Sequence, residues 1–256
     1  VLVSGAIAAA DTWSAVSDPS GALVPSGPAV YPQVAAFAQV CAYDRPGSAR
    51  IDDTFTPSTP IPQPTTPRNA VADLHALLTA ADVPGPYVLA RWSMGGPIAR
   101  VYAGTHSSDV SGLVLVDGTS EYLQAELTPT EFGTFLQMSA KDEQAVVAQW
   151  SDVERFDLAA AFAELRAAPP VPDIPVIVLS ADEFDANAIR ARLPADAPPD
   201  YPEVFWRAQL ASQNALAGLF PRVEHVGHQQ RAQHSQPITG LIVGAIRDLV
   251  AEAEET

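Results

Sequence analysis

Six short β-type runs separated by longer helical patterns restrict this chain more than any other feature. They fall at Val1–Val3, Val40–Tyr43, Tyr87–Ala90, Leu113–Val116, Val176–Leu179 and Val223–Val226. Short β-type runs alternating with helices are the pattern of a mostly parallel sheet with crossover helices. The expected fold class is therefore α/β, a mostly parallel sheet flanked by helices. A length of 256 residues suits one such domain carrying an insertion.

Between the second and third runs, Val71, Leu74, Leu77 and Leu78 share one stripe of a helix predicted over about Arg68 to Ala80, with His75 off that stripe. The Pro-dense stretch Pro57 to Pro67 supplies neither ladder donors nor helix interior, so it reads as an extended surface loop. From Glu121 to Ala168 the pattern is helical without a strand. It holds Thr128-Pro129-Thr130-Glu131, a capping box with proline at the first helical position. The expectation is a helical cap, residues 121–170, inserted into a core domain made of residues 1–120 and 171–256. A second irregular segment, Asp185 to Pro202, leads into a helix carrying Trp206, Leu210, Leu216 and Leu219. A last helix, about Thr239 to Ala253, closes the sheet.

The most informative stretch runs Tyr87-Val88-Leu89-Ala90-Arg91-Trp92-Ser93-Met94-Gly95-Gly96-Pro97-Ile98-Ala99-Arg100-Val101-Tyr102. An apolar strand passes through Ser-Met-Gly-Gly directly into a helix. A serine at such a turn is lifted to the tip of the sheet, and small neighbours must make room for it. The following helix aims backbone N–H groups and the positive end of its dipole at the same point, which suits an oxyanion.

This stretch resembles the elbow of the α/β-hydrolase family, G-x-S-x-G, with Gly95 as the second glycine and Arg91 in place of the first. Arg91 is expected to point outward with a small local adjustment. The resemblance implies Ser93 as nucleophile and the N–H groups of Ala6 and Met94 as oxyanion donors, since Ser4-Gly5-Ala6-Ile7 stands where the family has a His-Gly pair. It implies a structural place for Tyr43-Asp44-Arg45-Pro46-Gly47. It also implies a base on the loop after the last strand, where His228 follows Gly227 directly, with His234 as the alternative. His75 and His106 come too early in the chain, and His225 lies inside the strand. The acid that orients the imidazole is expected at Asp182, with Asp117 as the alternative and Glu183 after it. Trp92 is a candidate substrate contact, and Phe132, Phe135, Leu136, Met138 and Trp150 are available to line an apolar pocket under the cap.

The activity implied is a serine hydrolase acting on a small or medium hydrophobic ester through an acyl-enzyme. The alternative is a non-hydrolytic member of the same fold that binds a ligand or guides a cyclisation. A carboxylate at position 93 would be required for an epoxide hydrolase or dehalogenase, and Ser93 counts against both. No metal or cofactor is expected, because nothing resembles zinc-ligand spacing or a phosphate-cradling loop. A formal net charge of -16 argues against nucleic acid, which calls for clustered Lys and Arg. No apolar run approaches the roughly 18 residues of a membrane span, so the partner expected is a small-molecule substrate. The single cysteine, Cys41, excludes an intrachain disulfide framework. The sequence opens directly in a strand, and an upstream segment removed from it is expected. Compartment, cytoplasmic or secreted, and oligomeric state stay open.

Overall fold

The computed structural model describes residues 1–228 and 236–255. The chain begins with β1 (Leu2–Val3), a hairpin of β2 (Ala15–Ser17) and β3 (Leu23–Pro25), and α1 (Val30–Val34). Then come α2 (Pro67–Ala80), β4 (Tyr87–Trp92), α3 (Gly95–Thr105) and β5 (Val110–Val116). Three helices follow, α4 (Tyr122–Ala125), α5 (Pro129–Gln149) and α6 (Leu158–Ala167), before β6 (Val176–Ala181). The remainder is α7 (Ala186–Arg192), α8 (Tyr201–Ala217), β7 (Val223–His228) and α9 (Gln236–Glu254).

Among the described residues the main sheet has five strands in the order β1-β4-β5-β6-β7, every pair parallel. Parallel strands are buried on both faces, and β5 illustrates why the pattern was so apolar. Leu113 and Leu115 meet α2, α3 and α6, while Val114 and Val116 meet α1 and α9, and all four are fully buried. The stripe foreseen on α2 packs into the first of these layers through Val71, Leu74 and Leu78, whereas Leu77 stays exposed. Thr66 caps that helix by accepting from the Asn69 N–H. The capping box at Thr128 and Glu131 is formed at the start of α5. Among the described residues no helix is long and apolar enough to cross a membrane.

Two local expectations need correction, and one hairpin was not foreseen. Val40–Tyr43 forms no strand: β1 is so short that it offers this segment only one bridge, Leu2 to Ala42, and the bond from Leu2 N–H to Cys41 C=O at 2.8 Å. The β2–β3 hairpin has strands too short to show a period of two. Its turn is held by Asp18, whose carboxylate accepts from the N–H groups of Ser20 and Ala22, and by Gly21 at φ +89°. Within the segment read as irregular, α7 forms because Asp185 caps it through the N–H groups of Asn187 and Ala188 and because its prolines begin only at Pro194.

Candidate active site

The strand register decides what meets at the carboxyl edge of the sheet. Trp92 lies opposite Val116, Val116 opposite Leu179, and Ala181 opposite His228. The residues just past β4 and β5, Ser93 and Asp117, therefore stand side by side, with His228 at the end of β7 one residue further along the same edge. This is the edge where open α/β sheets place their ligands.

Ser93 has φ +51°, a conformation that costs a non-glycine residue about 1–3 kcal/mol. The turn is braced on both sides. Ser93 N–H donates to Val116 C=O at 3.1 Å, and its own carbonyl accepts from the N–H groups of Gly96 and Thr119. Gly95 is required by close approach, since a Cβ there would lie 2.7 Å from the carbonyl oxygen of Val3 and 2.9 Å from that of Ser4. Met94, at the N-cap of α3, is buried.

Arg91 does not point outward. β4 is an interior strand covered on both faces, so no outward direction exists at this position, and Arg91 is fully buried. Its guanidinium lies against Gly96 and Gly118, each of which would drive a Cβ into it. None of its three nitrogens has a hydrogen-bond partner among the described residues. Burial, and after it the nearby Arg100 cation, hold its pKa well below the usual guanidinium range, with Asp117 opposing them.

The acid candidates are placed differently. Asp117 is itself at φ +45°; one carboxylate oxygen accepts from Ala181 N–H at 2.7 Å, and the other lies 3.3 Å from His228 Nε2. That separation suits an ion pair, although neither ring nitrogen of the buried His228 makes a hydrogen bond to a described residue. Asp182 is exposed and bonds the base only through the backbone, its N–H donating to His228 C=O at 3.1 Å. Its carboxylate sits beside Gly227. His225 is engaged with Ser180 Oγ at 2.9 Å, and His75 and His106 stack on each other at the other end of α3. His234 lies outside the described residues.

The loop carrying Ala6 is held by a pair the sequence reading did not single out. Arg45 donates to the carbonyl oxygens of Ser4 and Gly5 and forms a bidentate pair with Glu154, whose Oε2 also accepts from Ile7 N–H at 2.8 Å. Burial disfavours the Arg45 charge, and the Glu154 carboxylate outweighs it, so its pKa is raised. Gly47, at φ +80°, lets Asp152 to Glu154 dock close enough for this, because a Cβ would lie 2.6 Å from Glu154 N. Between those clamps, neither the Ala6 nor the Met94 N–H has a hydrogen-bond partner among the described residues.

Ser93 and Asp117 open into a cavity of about 460 Å³. Leu123, Phe135, Met138, Phe205 and Trp206 form its apolar wall. Of the aromatics anticipated, Phe135 lines it; Phe132 packs into the core, and Trp150 meets Phe55 edge-on. Phe205 and Trp206, from α8, were not anticipated as lining. Trp92 stands elsewhere: its ring covers Gly5, where a Cβ would lie 2.6 Å away, and it packs among the residues of the α1 and α9 layer. A larger cavity, about 560 Å³, is lined by Arg100 and Tyr122 but not by Ser93. α4 stands between the two, with Leu123 facing the smaller and Tyr122, Gln124 and Ala125 the larger.

A five-stranded parallel sheet, helices on both faces and a strained serine between strand and helix define the class as α/β hydrolase. Residues 1–254 match the profile described as the alpha/beta hydrolase family, and the chain belongs to that family. It is similar over 92 residues, at 38% identity, to an uncharacterized protein of Schizosaccharomyces pombe; the match covers 36% of this chain and 16% of that protein. Among solved structures, a thermophilic esterase from Thermogutta terrifontis shares 20% identity, with a TM-score of 0.50 over 97% of this chain and 89% of that one. Rv0554 from Mycobacterium tuberculosis gives 18%, 0.51, 98% and 89% in the same order. Est816, described as an N-acyl homoserine lactone degrading enzyme, gives 14%, 0.53, 96% and 91%. At these identities the likeness is one of fold.

Proposed function

We propose that this chain is a serine hydrolase that cleaves a small or medium hydrophobic ester through an acyl-enzyme. The observation that carries the reading is Ser93 at φ +51°, at the head of α3 and in the wall of a cavity it shares with Asp117, which in turn meets His228. His228 takes the Ser93 proton as the hydroxyl oxygen attacks the ester carbonyl. The N–H groups of Ala6 and Met94 receive the charge that develops on the carbonyl oxygen. The imidazolium returns the proton to the leaving alkoxide, and a water molecule activated by His228 releases the acid and restores Ser93. The contact with His228 supports Asp117 as the acid in preference to Asp182. The apolar wall supports an aliphatic or aromatic acyl group, and the polar mouth at Glu183, Asp185 and Arg192 supports water or an alcohol leaving on that side.

The test is labelling by a fluorophosphonate probe, followed by a panel of p-nitrophenyl esters, on the protein and on Ser93→Ala and His228→Ala. Labelling is expected to vanish in both variants. Asp117→Asn is expected to cost about 10⁴-fold in kcat, as removal of an orienting carboxylate does, and Asp182→Asn less than about 10-fold. The reverse order would return the acid to Asp182. A second reading, a non-hydrolytic ligand-binding or cyclase-like protein, is favoured by the absence of a hydrogen bond to either His228 ring nitrogen among the described residues. Folded protein that takes no label would leave that second reading in front.

A further inference from the structure

We propose that His75, His106 and Asp109 form a binding site for a divalent transition-metal ion of the zinc type, at the end of α3 remote from Ser93. His75 comes from α2, His106 is the C-cap of α3, and Asp109 ends the short 3-10 turn Ser107–Asp109 that leads into β5. One ligand atom from each lies within 4.8 Å of the others. His75 Nδ1 and Asp109 Oδ2 are 3.8 Å apart. That gap is too long for a hydrogen bond and too short to hold a water molecule between two partners. Two ligands of a tetrahedral zinc ion, each about 2.0–2.1 Å from the metal, stand about 3.3 Å apart, so this pair needs a closure of about half an ångström and no pair in the cluster more than about 1.5 Å. The rings of His75 and His106 stack at 4.0 Å and 12°, and this parallel stack must open for both to turn an in-plane lone pair toward one ion.

The chemistry of the surroundings agrees. Each histidine offers one ring nitrogen to the cluster, the group by which imidazole ligates a metal. The Tyr102 hydroxyl is hydrogen-bonded to His75 Nδ1 at 3.3 Å, a contact that coordination through Nδ1 would replace. The C-terminus of α3 carries the negative end of the helix dipole, which favours a cation there. Two imidazoles and a carboxylate are a donor set for zinc, cobalt or nickel rather than for magnesium or calcium. The His75 and Asp109 side chains are 44% and 34% exposed, so solvent reaches the position and can complete the coordination.

Such an ion would tie α2 to the connection between α3 and β5. The elements that carry Ser93 and Asp117 at their other ends would be fastened at the base, roughly 16 Å of helix away. A gain in thermal stability with little change in turnover is therefore expected.

The experiment titrates the chelator-treated full chain with zinc by calorimetry and with cobalt by visible absorption, with magnesium as the control. The expected result is one zinc or cobalt ion per chain, four-coordinate cobalt bands, a rise in Tm and no saturation by magnesium. His106→Ala and Asp109→Asn should each weaken binding by more than the roughly 100-fold that loss of an outer partner costs at most. His75→Phe keeps an aromatic ring beside His106 while removing a ligand, so it should lose the metal; because it also removes the Tyr102 contact, its Tm is compared with and without metal, and only the metal-induced rise should vanish. Absence of stoichiometric binding, or affinity unchanged in all three variants, would overturn the site and leave a stacked pair beside a carboxylate.

Discussion

Two arginines are buried to nearly the same degree, Arg45 at 3% exposure and Arg91 at 0%, and they are treated in opposite ways. Around Arg45 each of the three guanidinium nitrogens is answered, by the two oxygens of Glu154 and the carbonyls of Ser4 and Gly5. Around Arg91 no described group answers, and the space is made by two missing side chains, at Gly96 and Gly118. The first arginine organises its neighbours, because the loop that carries Ala6 is folded around it. The second is accommodated by its neighbours and adds a cost beside a turn that is already strained. A buried charge is thus weak evidence of stabilisation until its partners are counted.

The contrast can be broken most forcefully at Glu154. Glu154→Ala leaves Arg45 buried without a carboxylate and Ile7 N–H without its acceptor, and is expected to cost about 3–5 kcal/mol in urea unfolding. Ester turnover should fall with it as the loop at Ala6 loosens. A loss of less than about 1 kcal/mol would put the pair on the footing of a surface bridge.

The opposite sign is expected at Arg91. Arg91→Met should raise stability by about 1–3 kcal/mol, since a fitting apolar side chain replaces a buried charge. Gly118→Ala should destabilise the native background and be tolerated beside Arg91→Ala, with a coupling of about 1–3 kcal/mol in the double-mutant cycle. Additive effects would show that Gly118 does not make the room for Arg91.

The smallest effect is expected at a third arginine, Arg100, held by Glu121 through bonds of 2.7 and 2.9 Å. Burial raises the Glu121 pKa, and the hydrogen bonds and charge of Arg100 lower it by more, so it ends below its ordinary value of 4.5. The folded state therefore binds this proton less readily than the unfolded chain. The stability it contributes is present above the ordinary value and is lost as pH falls through the lower, folded one. Glu121→Gln should flatten the acid limb of stability measured from about pH 6 to pH 3. An unchanged limb would show that other carboxylates set it.

The elbow could be read in the sequence because its signal is local: strand, serine, glycines and helix are contiguous. The choice between Asp117 and Asp182 could not, since both end apolar strands and only the register across β5, β6 and β7 brings one of them to His228. The clamp on the Ala6 loop joins residues 109 apart in the chain and leaves no local trace. The direction of Arg91, by contrast, was within reach. Leu89 and Arg91 share one face of β4, and a strand apolar on both faces in a parallel sheet has no solvent side to offer. A large polar residue there had to be buried, and the glycines that make room for it were the thing to look for.

The wall of the cavity at Ser93 has a consequence for the exchange of parts between relatives. Leu123, Leu127, Phe135 and Met138, which precede β6 in the chain, form one apolar cluster with Val204, Phe205 and Ala208, which follow it. Meanwhile Phe162 and Leu165 of α6, inside residues 121–170, belong to the main core. A chimaera that imports residues 121–170 from another family member would carry in part of the sheet's own packing and only half of the cavity wall. The apolar wall of this cavity is therefore contributed from both sides of a core strand, and under the proposed function shifts in substrate preference are expected to come from matched substitutions in α5 and α8 rather than from the transfer of one cassette.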